Sequence, residues 1–265
     1  MKYIKYLSLI AILIIALSLC LQNTFAESLF NSSDYKNDFI EANNQYKNHN
    51  YYEAITNYNK IINKGINNGS VYYNLGNAYL KNDQIGKAIL SYKKALKYQP
   101  RNPDIKTNLQ FALDGTKDQF STEETVEPIL HILAFWYYNL NTSELVTITI
   151  IINFILCIGV IINLFYSNNI LKITNYVVLT MLLILFSSSI IKIYNNNKVA
   201  SGVVIVKETD IKSGYGYDYS TLYKLHEGSV FKITENKDDW YKILLTNGQK
   251  GWINKDSIGV VKSDS

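Results

Sequence analysis

Residues 71–100 read VYYNLGNAYLKNDQIGKAILSYKKALKYQP. Large and small apolar residues recur there at three and four places, which is the period of one helix face. Two helices are predicted, one on each side of Asn82-Asp83-Gln84, and Pro100 ends the second because proline removes a backbone donor. Small residues at Gly76 and Ala88 let the pair approach, and Tyr72, Leu75, Tyr79 and Tyr92 fill the space beside them. The same pattern stands one copy upstream. Ala42 and Ala54 are spaced like Gly76 and Ala88, and one interval carries Ala42 to Gly76, Ala54 to Ala88 and Tyr58 to Tyr92. The upstream copy departs at one point, with Gln45 where an aromatic is expected and Tyr46 one place later. A third helix, about Pro103–Leu113, is expected to cap the stack.

A self-match at about 34 residues is the mark of tetratricopeptide helix pairs. The second copy resembles that consensus at Tyr72, Leu75, Gly76, Tyr79, Ala88, Tyr92, Ala95 and Pro100. The first helix of each such pair lines a concave groove. In this register the groove presents Phe39, Asn43, Tyr46 and Lys47, then Tyr73, Asn77, Leu80 and Lys81. Paired Asn and Lys suit a peptide carboxylate or backbone. The competing reading of the same residues is a solvated polar face.

Downstream the character changes to β. Residues 203–261 hold Val203-Val204-Ile205-Val206, Val230–Thr234, Trp240–Leu245 and Gly251-Trp252-Ile253. Asn247-Gly248 between apolar runs is a strong hairpin signal. Five or so short strands predict a small barrel. The string LHEGSVFKITENKDDWYKILLTNGQKGWI, residues 225–253, resembles a bacterial SH3-type domain. That resemblance implies a module that binds peptides, wall polymer or a partner protein. Tyr215, Tyr217, Tyr219 and Tyr223, with Trp240 and Trp252, are the candidate contact residues. Tyrosines interleaved with Gly214 and Gly216 suit an adaptable contact surface. Ordinary packing of tyrosine on a small barrel is the other reading.

Three apolar runs separate or precede these modules. Residues 1–26 read as a secretory signal, with Lys2 and Lys5 first, the apolar Leu7–Leu21, and Thr24-Phe25-Ala26 before a cleavage point. An uncleaved anchor is the alternative, and both readings export the downstream chain. Residues 145–165 and 176–193 are each long enough to cross a bilayer of about 30 Å at about 1.5 Å per residue. They predict an antiparallel transmembrane hairpin with a cytoplasmic loop at residues 166–175. Residues 115–144 form a linker with an aromatic helix, Pro128–Leu140, placed either at the membrane interface or on the repeats, and Thr142 or Ser143 is expected to cap the first span. Asn153 is expected to bond Ser187 or Ser188 across the hairpin seam, since lipid cannot satisfy an amide.

The charge and chemistry exclude several classes. Residues 27–127 balance 12 basic against 12 acidic side chains, and residues 195–265 balance 10 against 9. Three of the four net positive charges lie at the apolar segments, so no nucleic-acid surface is expected. Cys20 and Cys157 both sit in apolar runs, and His49, His131 and His226 stand apart from one another. No catalytic, cofactor-binding or metal-binding constellation is expected, and the chain does not read as an enzyme.

The order of parts resembles the BatE-like proteins of the Bacteroides aerotolerance operon. The fold class is therefore multidomain: all-α tetratricopeptide repeats over residues 27–114, a two-helix transmembrane hairpin, and a small all-β SH3-like barrel over residues 203–261. The resemblance implies a scaffold in the bacterial inner membrane with both soluble modules outside the cytoplasm. It also implies von Willebrand A-type membrane partners and a MoxR-type ATPase system. The alternatives are a generic peptidoglycan-binding envelope protein and, less in keeping with the residues, a wall hydrolase.

Overall fold

The structure, a computed structural model, describes residues 35–118, 132, 134–166, 168–198 and 201–261. The expected signal segment and most of the linker lie outside the described residues.

The N-terminal helices are α1 (Lys36–Lys47), α2 (Tyr51–Asn63), α3 (Gly69–Lys81), α4 (Ile85–Tyr98) and α5 (Pro103–Asp114). The repeat period governs their ends as well as their faces. His49 and Asp83, one period apart, both take positive φ after a first helix (63° and 56°). The next amide reaches back across each turn, from Asn50 N to Gln45 O (2.9 Å) and from Gln84 N to Tyr79 O (3.0 Å). These closures satisfy carbonyls that a helix end would otherwise leave bare. Starts repeat too. Asn68 caps α3 by accepting from Ser70 N, and Asn102 caps α5 by accepting from Asp104 N and Ile105 N. Between the helices Ala42, Ala54, Tyr58, Ala88, Tyr92 and Ala95 are buried. A Cβ built on Gly76 would lie 2.6 Å from the Tyr92 ring, so only glycine admits that approach.

The C-terminal β-domain has seven strands where sequence suggested about five. They are β1 (Ser201–Val204), β2 (Glu208–Lys212), β3 (Thr221–His226), β4 (Val230–Lys237), β5 (Trp240–Leu244), β6 (Lys250–Asn254) and β7 (Ile258–Val261). They form one sheet in the order β3-β2-β6-β5-β4-β1-β7, with every paired neighbour antiparallel, consistent with an SH3-like fold. The Asn-Gly hairpin forms as expected. Gly248 sits at φ 85°, where other residues are strained, and Leu245 N donates to Gln249 O at 2.9 Å. Val204, Ile211, Leu225, Phe231, Ile243 and Ile253 fill the interior.

Helices α1–α5 and the β-domain belong to one compact unit, with a short helix α6 (Phe135–Asn139). The two modules touch. Val203 of β1 is fully buried in the helical core beside Ala88, Ile89 and Tyr92. Gly259 of β7 lies against Leu90, and Gly228 against Thr116 and Ile89.

Two long helices follow, α7 (Thr142–Phe165) and α8 (Asn169–Lys198), and the other unit holds α7 and α8 as far as Ile193. Both are long and apolar enough to cross a membrane. Asn141, rather than Thr142 or Ser143, caps α7. Its side chain accepts from Glu144 N, and the Glu144 carboxylate accepts in turn from Asn141 N. The helix α8 begins at Asn169, so most of the expected loop at residues 166–175 is helical. Ile170 and Ile173 extend the apolar run and nothing in that stretch breaks a helix. The seam is set by Thr149 and Ser189, whose hydroxyls are 3.4 Å apart and buried. The Asn153 carbonyl accepts instead from the Cys157 thiol one turn on (3.6 Å), while Ser187 and Ser188 donate to their own helix.

Candidate functional site

Two surfaces carry the residues singled out by sequence. The first runs across the first helices α1, α3 and α5. Tyr58 donates its hydroxyl to Asn43 Oδ1 (2.6 Å), and Asn74 donates its amide to the same atom (2.9 Å). One repeat later Tyr92 donates to Asn77 Oδ1 (2.8 Å), and Asn108 donates there too (2.9 Å). The two rungs are related by the repeat offset at every member. Each fixes one asparagine with its carbonyl engaged. That leaves the other half of the amide: among the described residues no protein acceptor takes the Nδ2 of Asn43 or Asn77. A bound chain offering carbonyl or carboxylate oxygens would meet two fixed donors. Burial pushes the Tyr58 and Tyr92 phenols well above their ordinary range, so they stay neutral donors.

The remaining expected groove residues divide. The Tyr73 hydroxyl joins the second rung by accepting from Asn108 (3.2 Å), and its ring tilts against Tyr92. Tyr46 packs on Tyr51 at 5.5 Å. Lys47 and Lys81 are exposed at the helix ends. Phe39 lies against Tyr58 and the core of the first repeat, and Leu80 against that of the second, so both serve packing more than the groove. Sequence reasoning missed Asn74 and Asn108. Their signal was present, since they too stand one repeat period apart.

The second surface lies on the β-domain. The segment between β2 and β3 folds over β5 and β6, bringing Tyr217 onto Trp240 (5.1 Å between rings) and Tyr215 onto Trp252 (5.5 Å). Asn254 donates to the Tyr217 hydroxyl at 2.8 Å, and the Lys237 ammonium stands 3.6 Å from the centre of the Tyr215 ring. Tyr219 packs on Gly214, where any side chain would collide with its ring. Tyr217 is 74% exposed, whereas Trp240 and Trp252 are 5% and 8% exposed. The tryptophans are thus the floor and the tyrosines the exposed layer above it. Tyr223 does not join them. It packs against the interior with its hydroxyl buried and unbonded, because it lies within β3 on the inward face shared with Leu225, whereas the other three lie in the connection before the strand.

Among the described residues no group of three or more His, Cys, Asp or Glu could hold a metal ion. His226 is occupied structurally. Its Nδ1 faces Asp118 Oδ1 at 3.0 Å, and its Nε2 faces Lys117 Nζ at 2.8 Å and Glu208 Oε2 at 3.4 Å.

Comparison with known families agrees with this division. Residues 70–102 match the tetratricopeptide repeat and residues 213–258 the bacterial SH3 domain. The chain is also similar to a protein of Bacillus subtilis (strain 168) described as a candidate N-acetylmuramoyl-L-alanine amidase, YrvJ. They are 30% identical over 72 residues, which is 26% of this chain and 14% of the relative. The chain therefore spans only a small part of that relative's length.

Proposed function

We propose that this chain is a membrane-anchored scaffold of the bacterial cell envelope, which holds partner proteins in the groove of its repeats while its β-domain adds a second contact surface. Both modules are of non-catalytic binding types, and two helices are able to anchor them. The observation that carries the reading is the pair of asparagine rungs. Each uses internal hydrogen bonds to hold a donor amide in a fixed position on the row of first helices. Preorganisation of that kind lowers the cost of binding an extended chain.

The topology belongs to the same reading. The two helices α7 and α8 lie between the modules in sequence, and the contact between the modules supports both lying on one side of the membrane. That requires an even number of crossings between them. The exported side is favoured by the apolar N-terminal segment after Lys2 and Lys5. The BatE-like order of parts extends the proposal to an aerotolerance complex with von Willebrand A-type membrane proteins and a MoxR-type ATPase system.

A second reading draws on the relative described as a candidate N-acetylmuramoyl-L-alanine amidase. In it, the tyrosine layer of the β-domain holds peptidoglycan. Affinity purification from native membranes separates the two. Membrane proteins that co-elute and are lost on Asn43→Asp/Asn77→Asp, which keeps the rung acceptors and removes the donors, support the scaffold. Sedimentation with purified wall, abolished by Tyr217→Ala, supports the wall binder.

A further inference from the structure

The third first-type helix, α5, repeats the earlier ones in detail. Its cap Asn102 answers Asn68, its Asn108 answers Asn74, and its buried Ile105 and Ala112 answer Val71 and Ala78, each one repeat period on. A helix pair of this type needs its second helix; among the described residues the helical ones between α5 and α7 are Ile132 and the short α6, and neither belongs to the core around Ile89 and Leu90. After Asp114 the chain makes one turn through Thr116 and reaches Asp118. An open end of a repeat stack leaves apolar surface bare, here on Ile89 and Leu90 of α4, and repeat arrays require a cap.

The β-domain covers that surface. Val203 enters the helical core beside Ile89, and Gly259 comes so close to Leu90 that a side chain there would collide. The polar edge is closed as well. Glu227 accepts from Gly86 N at 2.9 Å, and Asp118 accepts from Ser229 Oγ at 2.6 Å and His226 N at 2.7 Å. Ser229 is also held from the other side, since Val204 N donates to its carbonyl at 3.0 Å. Asp118 and Val204 belong to the chain on either side of the two long helices, and they meet at one residue.

We infer that the SH3-type domain is the closing cap of the repeat stack, standing where a third repeat's second helix would stand, and that the two long helices are a membrane-anchor insertion into this one composite body. The inference holds whichever ligand the two surfaces take. It makes the β-domain's β1–β7 face an interaction surface for its own chain. The tyrosine layer on the opposite strands and the asparagine rungs on the first helices stay free. It also means the groove depends for its stability on a domain from the far end of the chain.

The test uses the full chain in membranes, in a Cys20→Ser/Cys157→Ser background. Leu90→Cys with Gly259→Cys should crosslink within one chain, read by cutting at a protease site placed after Gln119 and finding both halves joined without reductant. The control pair Tyr52→Cys with Gly259→Cys should not. No crosslink at 90 and 259, or crosslinks only between chains, overturns the docking. The cap is tested by amide exchange on the same full chain. Leu90→Glu and, separately, Gly259→Trp should speed exchange in α4 and α5 while the β5–β6 hairpin stays protected. Unchanged exchange in α4 and α5 with either variant overturns the cap.

Discussion

The groove of the repeats and the tyrosine layer of the β-domain are the two candidate contact surfaces, and they are built in opposite ways. In the groove, the candidate ligand groups are half-buried asparagines, each held by a tyrosine hydroxyl and a second asparagine. On the β-domain, the candidate groups are exposed rings resting on buried tryptophans. Function and stability are coupled in the first and separable in the second. A groove substitution disturbs the packing that positions it, whereas a tyrosine at the surface is removed at little cost.

The largest effect expected from that difference is at Gly76. Gly76→Leu drives a side chain into the Tyr92 ring and should destabilise the repeats by about 1–3 kcal/mol. Thermal unfolding of the purified full chain followed by circular dichroism checks this, and a melt like the parent's would remove the helix crossing as described. Next comes Asn77→Ala. It leaves the largely buried Tyr92 hydroxyl without its acceptor, at a cost of about 1–3 kcal/mol for an unsatisfied group. Tyr92→Phe is gentler, about 1 kcal/mol, because Asn77 keeps its bond from Asn108. Equal losses from the two variants, measured by denaturant unfolding, would mean the rung is not organised around Asn77. Smallest is Tyr217→Ala together with Lys237→Ala. Loss of the exposed ring should change stability by no more than about 0.5 kcal/mol, loss of the exposed ammonium should add nothing measurable, and a larger loss would show that the layer supports the barrel.

Acid adds a test of the junction between the modules. Burial acts to raise the pKa of Asp118, but bonds from Ser229 and from the backbone and ring of His226 outweigh it and hold the carboxyl below its ordinary value. Because the unfolded state then binds the proton more readily, this contribution is complete above the ordinary aspartate range and fades as pH falls through the lowered value. Amide exchange at His226 and Ser229 should therefore rise below that range, and Asp118→Asn should show the loosened junction already at neutral pH. Exchange that does not respond to acid would place the stabilising bonds elsewhere.

Periodicity accounts for most of the fold that sequence made legible. Ala42 and Gly76, Tyr58 and Tyr92 announce the repeat, and the same offset carries Asn74 to Asn108 and His49 to Asp83, completing the rungs and the turns. The Asn-Gly hairpin was equally plain. The hairpin of long helices was half legible. Depth matching from Leu145 and Ile193 aligns the two helices correctly, for Thr149 and Ser189 each stand four residues in from those ends. The seam residue is nevertheless Thr149 and not Asn153, since which face meets the partner depends on helix rotation, and Asn153 finds Cys157 on its own helix. The docking of the β-domain was not legible at all. Gly86, Leu90 and Gly259 carry no local signal, and the residues that meet are far apart in the chain. Tyr223 parts from its neighbouring tyrosines because it stands inside β3 on the face of Leu225, while they stand in the connection before it.

The central claim, that the groove holds membrane partners, is tested most directly by quantitative affinity purification of the full chain from native membranes in three forms: parent, Asn43→Asp/Asn77→Asp, which keeps the acceptor oxygens of the rungs and removes the donors, and Tyr217→Ala. The account predicts a set of membrane proteins that co-elutes with the parent and with Tyr217→Ala and is lost from the groove variant, with the groove variant still folded by circular dichroism. A set unchanged by the groove substitutions, or one lost only with Tyr217→Ala, would contradict it.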